Sequence, residues 1–212
     1  MKTLSITSQL AIGAALVGAC GSLKAANLLM NSDFENPLFA PEVAGDGNWS
    51  AFSGGPAFPD VSTVAPFAGA QHLAGTINGL NDTFSGIQQN FPTLEGEEYT
   101  FSLYARGDGP VDLGVEFRIE WLDATGAFVG GQFDNNVAIQ DSLTDTYQLF
   151  SQTRTAPAGT ASGRVVIALQ TFTGGTDIGT VFIDNAEVEG IPEPSSLLLS
   201  SIAALGLLRR RR

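Results

Sequence analysis

Five side chains supply what is needed to hold a hydroxyl-rich ring: Tyr104 and Arg106, then Glu116, Arg118 and Glu120. A phenol offers a flat apolar face to a pyranose, while guanidinium and carboxylate groups present planar hydrogen-bonding forks to its hydroxyls. Each of the five alternates with apolar residues: Tyr99, Phe101, Leu103 and Ala105 in the first run, Val115, Phe117, Ile119 and Trp121 in the second. Every second residue of a strand points to the same side, so the five are expected to share one surface of a sheet. The plainer reading of the same residues is a solvated sheet face with Glu–Arg cross-strand pairs, each worth about a few tenths of a kcal/mol. Trp121 falls in the apolar register and reads as core. Trp49, beside Gly45-Asp46-Gly47-Asn48, reads equally as a ligand platform on a loop or as a core plug.

Catalytic chemistry is poorly provided for. His72 is the only histidine; no Gly-x-Ser-x-Gly elbow or second metal-spaced ligand accompanies it, so it reads as a strand residue with a satisfied hydrogen bond. Glu116 and Glu120 lie about 13 Å apart along one strand at ~3.3 Å per residue, too far for either geometry of glycoside hydrolysis. The single cysteine, Cys20, excludes an intrachain disulfide and a thiolate zinc site. Arg106-Gly107-Asp108 ahead of Pro110 is turn chemistry. The expectation is a chain that is not an enzyme.

The elements that must position these residues are strands. Between Asn27 and Gly190 the apolar period is two, not 3.6. Val165, Ile167 and Leu169 alternate with Val166, Ala168 and Gln170, a weak contrast that predicts burial on both faces. Val181-Phe182-Ile183 leads into a final strand ending near Val188. Turn signals separate the runs: Gly107–Pro110, Asp123–Gly126, Ala156–Gly159 and Gly174–Asp177. No helical stripe interrupts them. The fold class is therefore all-β, an antiparallel jelly-roll β-sandwich over residues 27–190. With 22 acidic against 10 basic residues the chain carries a net charge of −12, which argues against a nucleic-acid partner. Its 14 phenylalanines argue against disorder.

Both ends read as addresses. Lys2 and the apolar run Leu10–Ala19 form a signal peptide over residues 1–26, with cleavage after Ala25 or Ala26. Val17-Gly18-Ala19-Cys20 offers a rival, lipid attachment at Cys20. At the other end (residues 191–212) Pro192-Glu193-Pro194 precedes an apolar run from Ser195 to Leu208, then Arg209, Arg210, Arg211 and Arg212. Fourteen helical residues reach about 21 Å, short of the ~30 Å hydrocarbon core, and the arginines would stay cytoplasmic. A weak membrane anchor is one reading. The tripartite order resembles the PEP-CTERM sorting signal. That resemblance implies an exosortase as processing partner, transient inner-membrane insertion through the C-terminal hydrophobic helix, and a Gram-negative host that makes extracellular polysaccharide.

The middle carries a second resemblance. Asn27-Leu28-Leu29-Met30-Asn31-Ser32-Asp33-Phe34-Glu35 is similar to the opening strand of carbohydrate-binding-module-like jelly rolls of the galactose-binding-like group, including families four, nine and twenty-two. Gly86-Ile87-Gln88-Gln89, Gly96–Ser102, Ala156–Ala161 with Arg164-Val165, and Phe182–Val188 follow in the order that group uses. Asn185 stands where the group's closing motif has a second Asp. The resemblance implies one structural Ca2+ held by Glu35 and Asp184, with Asp33 offering a carbonyl and Asp60 a further ligand, six to eight oxygens being required. The function it implies is association with extracellular polysaccharide at the cell surface. The alternatives are a structural matrix protein without a small ligand and, more remotely, a polysaccharide-active enzyme. Residues 27–192 hold 21 acidic residues and 4 arginines, a net −17, so a neutral glycan is the expected ligand.

Overall fold

A computed structural model describes residues 25–38, 49–53, 59–78, 84–108, 113–139, 143–171 and 178–191. The signal-peptide run, Cys20, the Pro192-Glu193-Pro194 triplet, the apolar run from Ser195 to Leu208, expected to be helical, and the four terminal arginines lie outside the described residues. Ten strands form two antiparallel five-stranded sheets. The front sheet is ordered β1 (Ser50–Ser53), β4 (Phe84–Pro92), β9 (Ser162–Thr171), β6 (Leu113–Leu122), β7 (Asn136–Ile139). The back sheet is ordered β2 (Pro59–Ser62), β3 (His72–Asn78), β10 (Ile178–Ile191), β5 (Glu98–Asp108), β8 (Gln148–Thr155). Among the described residues there is no helix.

Alternation builds the core as the sequence predicts. Along β5, Tyr99, Phe101, Leu103 and Ala105 are buried and their neighbours half-buried. They meet Val115, Phe117, Ile119 and Trp121 of β6 across the sandwich, with the Phe101 and Phe117 rings edge to face at 5.6 Å. Central β9 is buried on both sides from Val165 to Leu169. Gly107 and Asp108 continue β5 rather than starting a turn, since Gly107 pairs with Val181. Asp123 closes the turn after β6, its Oδ1 accepting from the amides of Thr125 and Ala127.

Trp49 settles as a core plug, 2% exposed, with its indole donating to Asn31 O at 3.1 Å and its ring 5.6 Å from Phe34. It is not a loop platform, because the indole fills the space above the opening segment. That segment, Asn27–Glu35, forms no regular strand. Leu28 N donates to Val188 O and Ala186 N to Ser32 O, while Met30 and Gln89 of β4 exchange two hydrogen bonds, so it ties β10 of the back sheet to β4 of the front. Positive φ at Asn31 (47°) and Phe34 (57°) turns it out of a ladder.

Candidate functional site

The five residues expected on one surface divide between two. β5 lies in the back sheet and β6 in the front sheet, and both bury their apolar register against each other. Tyr104 and Arg106 therefore face out of the back; Glu116, Arg118 and Glu120 face out of the front. The chain crosses between sheets after β5, and that crossover reverses which side is solvent.

On the front, Glu120 is buried between two arginines. Its Oε1 accepts from Arg118 Nε at 2.8 Å, and its Oε2 accepts from Arg164 Nε of β9 at 2.6 Å. Glu116 adds a contact to Arg118 at 3.7 Å. The solvated face expected here is instead a covered network: Phe133 lies 4.8 Å from the Arg118 guanidinium and Phe128 lies 5.3 Å from that of Arg164. Beside this network opens a groove of about 420 Å3. Its floor is Ala168 of β9. Phe52 and Phe84, 6.4 Å apart, form one aromatic wall and Phe133 the other; Gln88, Gln132, Glu116 and Arg118 add planar polar groups. Phe84 is 42% and Phe133 61% exposed.

Local backbone chemistry shapes both walls. A Cβ at Gly86 would overlap the Phe52 ring and the Ile167 carbonyl, so glycine lets that ring lie flat on the sheet. Across the groove, Gly130 has φ +87° and Gly131 N donates to Asp134 Oδ2 at 2.6 Å. Asn135 then anchors the loop by donating to Ile119 O at 3.1 Å. Phe52, Phe84, Gln132 and Phe133 were not singled out from the sequence, and Gln88 entered only as part of a family-like motif, not as a binding residue. The available signals were phenylalanines in the outward register of short strands and the Gly130-Gly131 pair just ahead of Phe133.

The back face carries a strap. Phe67 stacks on Tyr104 at 3.9 Å, and Arg106 lies 3.9 Å over the Phe182 ring while donating to Val64 O at 3.0 Å. His72, outward in register, is fully buried beneath this cover and shares a hydrogen bond with the Tyr147 hydroxyl through Nδ1. Its Nε2 has no partner among the described residues. Burial, reinforced by the Arg106 charge, pushes the His72 pKa down to about 4; burial pushes the Tyr147 phenol up to about 12. Arg106 is thus bound into the protein, and the Tyr104 ring has one face already taken.

Glu35 and Asp184 come from opposite ends of the domain to one loop. Glu35 Oε1 accepts from Ala70 N at 2.7 Å and Gln71 N at 3.1 Å, and Asp184 Oδ2 accepts from Ala68 N at 3.0 Å. Gly69, at φ +64°, leaves space where a Cβ would overlap Glu35 Oε1. Burial, with a smaller push from Glu35, raises the Asp184 carboxyl above the usual range. Two such carboxylates suit a cation. Asp33 and Asp60 instead each hold a nearby amide, Glu35 N at 3.4 Å and Val61 N at 2.8 Å. Among the described residues no group of three or more His, Cys, Asp or Glu side chains is arranged for a metal. Further ligands to a calcium ion there would be backbone carbonyls and water.

Comparison with known proteins agrees with the fold. Residues 190–212 match the PEP-CTERM protein-sorting motif, so its first two residues, Gly190 and Ile191, are also the last of β10. No curated protein matches the sequence. The fold is similar to TmCBM61, solved with β-1,4-galactotriose, at 14% identity and TM-score 0.53 over 77% of this chain and 98% of that one. It is also similar to the CBM22-1 xylan-binding domain of Paenibacillus barcinonensis Xyn10C, at 15% identity and TM-score 0.51 over 81% and 98%. The enzymatically active domain of bacteriophage CBA120 tailspike protein 4 matches at 14% identity and TM-score 0.55 over 78% of this chain. The chain spans only about a fifth of that tailspike domain, 21%. The sandwich therefore has the jelly-roll fold of these carbohydrate-binding modules and is followed by residues that match a sorting motif.

Proposed function

We propose that this exported protein binds a neutral extracellular glycan in the front groove and catalyses no reaction on it. The observation that carries the reading is the groove: three phenylalanine rings flank planar polar groups above a small floor residue, the composition a stacked sugar ring requires. Its arginine is already matched. With Glu120 between Arg118 and Arg164, the guanidinium offers donors without surplus positive charge. Together with the −17 of residues 27–192, that disfavours an acidic polysaccharide. The relatives solved with galactotriose or named for xylan supply the first ligands to try. In the same reading an exosortase of a Gram-negative host processes the tail after its brief stay in the inner membrane, leaving the sandwich at the cell surface or in the matrix. A calcium ion between Glu35 and Asp184 would brace the loop at 66–71; chelator should then lower the unfolding midpoint, and an unchanged midpoint removes the ion.

Affinity electrophoresis of the exported protein in xylan and galactan gels tests the binding claim. Retardation is expected, and Phe84→Ala with Phe133→Ala should weaken it about tenfold or more, the loss of one to two stacking contacts. No retardation in any neutral polysaccharide, with or without calcium, would leave the structural-matrix reading in its place.

A further inference from the structure

A second cleft, of about 460 Å3, opens on the back face, on the opposite side of the sandwich from the groove. Its origin is a bulge in β10. Asp184 pairs with Tyr104 and Glu187 with Ser102, so Asn185 and Ala186 together stand opposite the single residue Leu103. Ala186 turns into the core at 1% exposure, and Asn185, at φ +47°, is left half-buried at the rim of the cleft. Bulges re-aim side chains in this way, and asparagine is among the residues that tolerate this backbone region.

The lining is divided by chemistry. Phe67, stacked on Tyr104 and still 43% exposed, forms an apolar wall with Leu149 at 57%. Opposite stand the Ser32 and Ser102 hydroxyls, the Asn185 amide and the Glu187 carboxylate. The side chains of Ser32, Ser102 and Asn185 make no hydrogen bond to another described residue. Among the described residues no arginine or lysine lines the cleft, and Arg106 is committed to Phe182 and Val64 O.

We propose that this cleft is a second carbohydrate site, taking one sugar residue or the end of a neutral glycan chain. A flat apolar wall facing amide, hydroxyl and carboxylate groups matches the two sides of a pyranose, and the absence of a lining cation disfavours an anion. With sites on both outer faces, one domain bridges two glycan chains and acts as a cross-link. The bridging half of the proposal rests on the front groove being a site; the back cleft stands without it.

The test is a titration of the exported, 15N-labelled protein with xylotriose and galactotriose at millimolar concentration, followed by amide shifts and calorimetry. Saturable shifts at Phe67, Ser102 and Asn185 are expected, with two trisaccharides bound per chain. Asn185→Gly, which keeps the backbone angle available, combined with Ser102→Val should erase those shifts and halve the stoichiometry, with Gly86 and Gln88 still responding. Ser102→Val alone gives the same reading if the double variant unfolds. Shifts confined to the front groove would overturn the second site alone. Shifts confined to the back would overturn the front-groove reading alone, and a protein responding on neither face overturns both.

Discussion

The two outer faces of the sandwich start from the same ingredients and reach different ends. Each sets an arginine against aromatic rings on a central strand. On the front, Arg118 is neutralised by Glu120 within its own strand, and the rings of Phe52, Phe84 and Phe133 remain open to solvent around a groove. On the back, Arg106 lies over the Phe182 ring and donates to a loop carbonyl, although Asp108 stands two residues along the same strand. The consequence is a strap over His72 rather than a channel. Both arginines pack on a ring; on the front Phe133 and Phe84 stay 61% and 42% exposed around a groove, while on the back the rings and the loop close over the histidine.

The largest effect is expected where the front network is broken. Glu120→Ala leaves Arg164 without its carboxylate and Arg118 with only the 3.7 Å contact to Glu116, which costs about 3 kcal/mol. For a domain of this size that lowers Tm by on the order of 10 °C, measured by calorimetry; a drop of only a degree or two would show that solvent already screens the network. Next comes the back. Arg106→Ala removes a ring contact and a hydrogen bond, together about 2 kcal/mol, and leaves sugar binding in the front groove unchanged. Loss of front-groove affinity in that variant would show that the two faces are not independent.

Acid separates the faces in a third way. The His72 pKa is pushed down from 6.5 to about 4, so the folded state holds the neutral imidazole more firmly than the unfolded chain does. Its contribution is fully present above pH 6.5 and is lost as pH falls from there toward 4. Asp184, whose carboxyl is raised, works in the opposite direction as it takes up its proton at the acid end. Urea midpoints measured between pH 7 and 4.5 should therefore fall, and His72→Gln should flatten that fall. The smallest effect belongs to Asp134→Ala. It releases Gly131 N at an exposed loop, changing stability by about 0.5 kcal/mol or less, yet frees Phe133 and should weaken glycan binding a few-fold. Unaltered binding would mean that Asn135 alone holds the loop.

Much of the fold was legible in the residues. Tyr99–Arg106 and Val115–Trp121 alternate so cleanly that their buried register could be read directly, and the two-sided burial of β9 followed from its weak contrast. The sorting motif was equally plain, because it depends on local order alone. The groove was not legible. Phe52, Phe84 and Phe133 are far apart in the chain, and an outward phenylalanine in a short strand looks like any other surface residue until β1, β4 and the loop before β7 are brought together. The bulge at Asn185 was hidden for a related reason: an inserted residue shows only against the partner strand.

The amino-acid sequence by itself determined which side of each strand is apolar, that the chain is a sandwich, and that its tail is an address. It also brought forward Glu35 and Asp184, which the fold carries to one loop. Only the tertiary structure decided which outer face each polar row joins. Period two defines two sides of a strand but not the sheet that strand enters, and the crossover from β5 to β6 sends Arg106 and Arg118 to opposite surfaces.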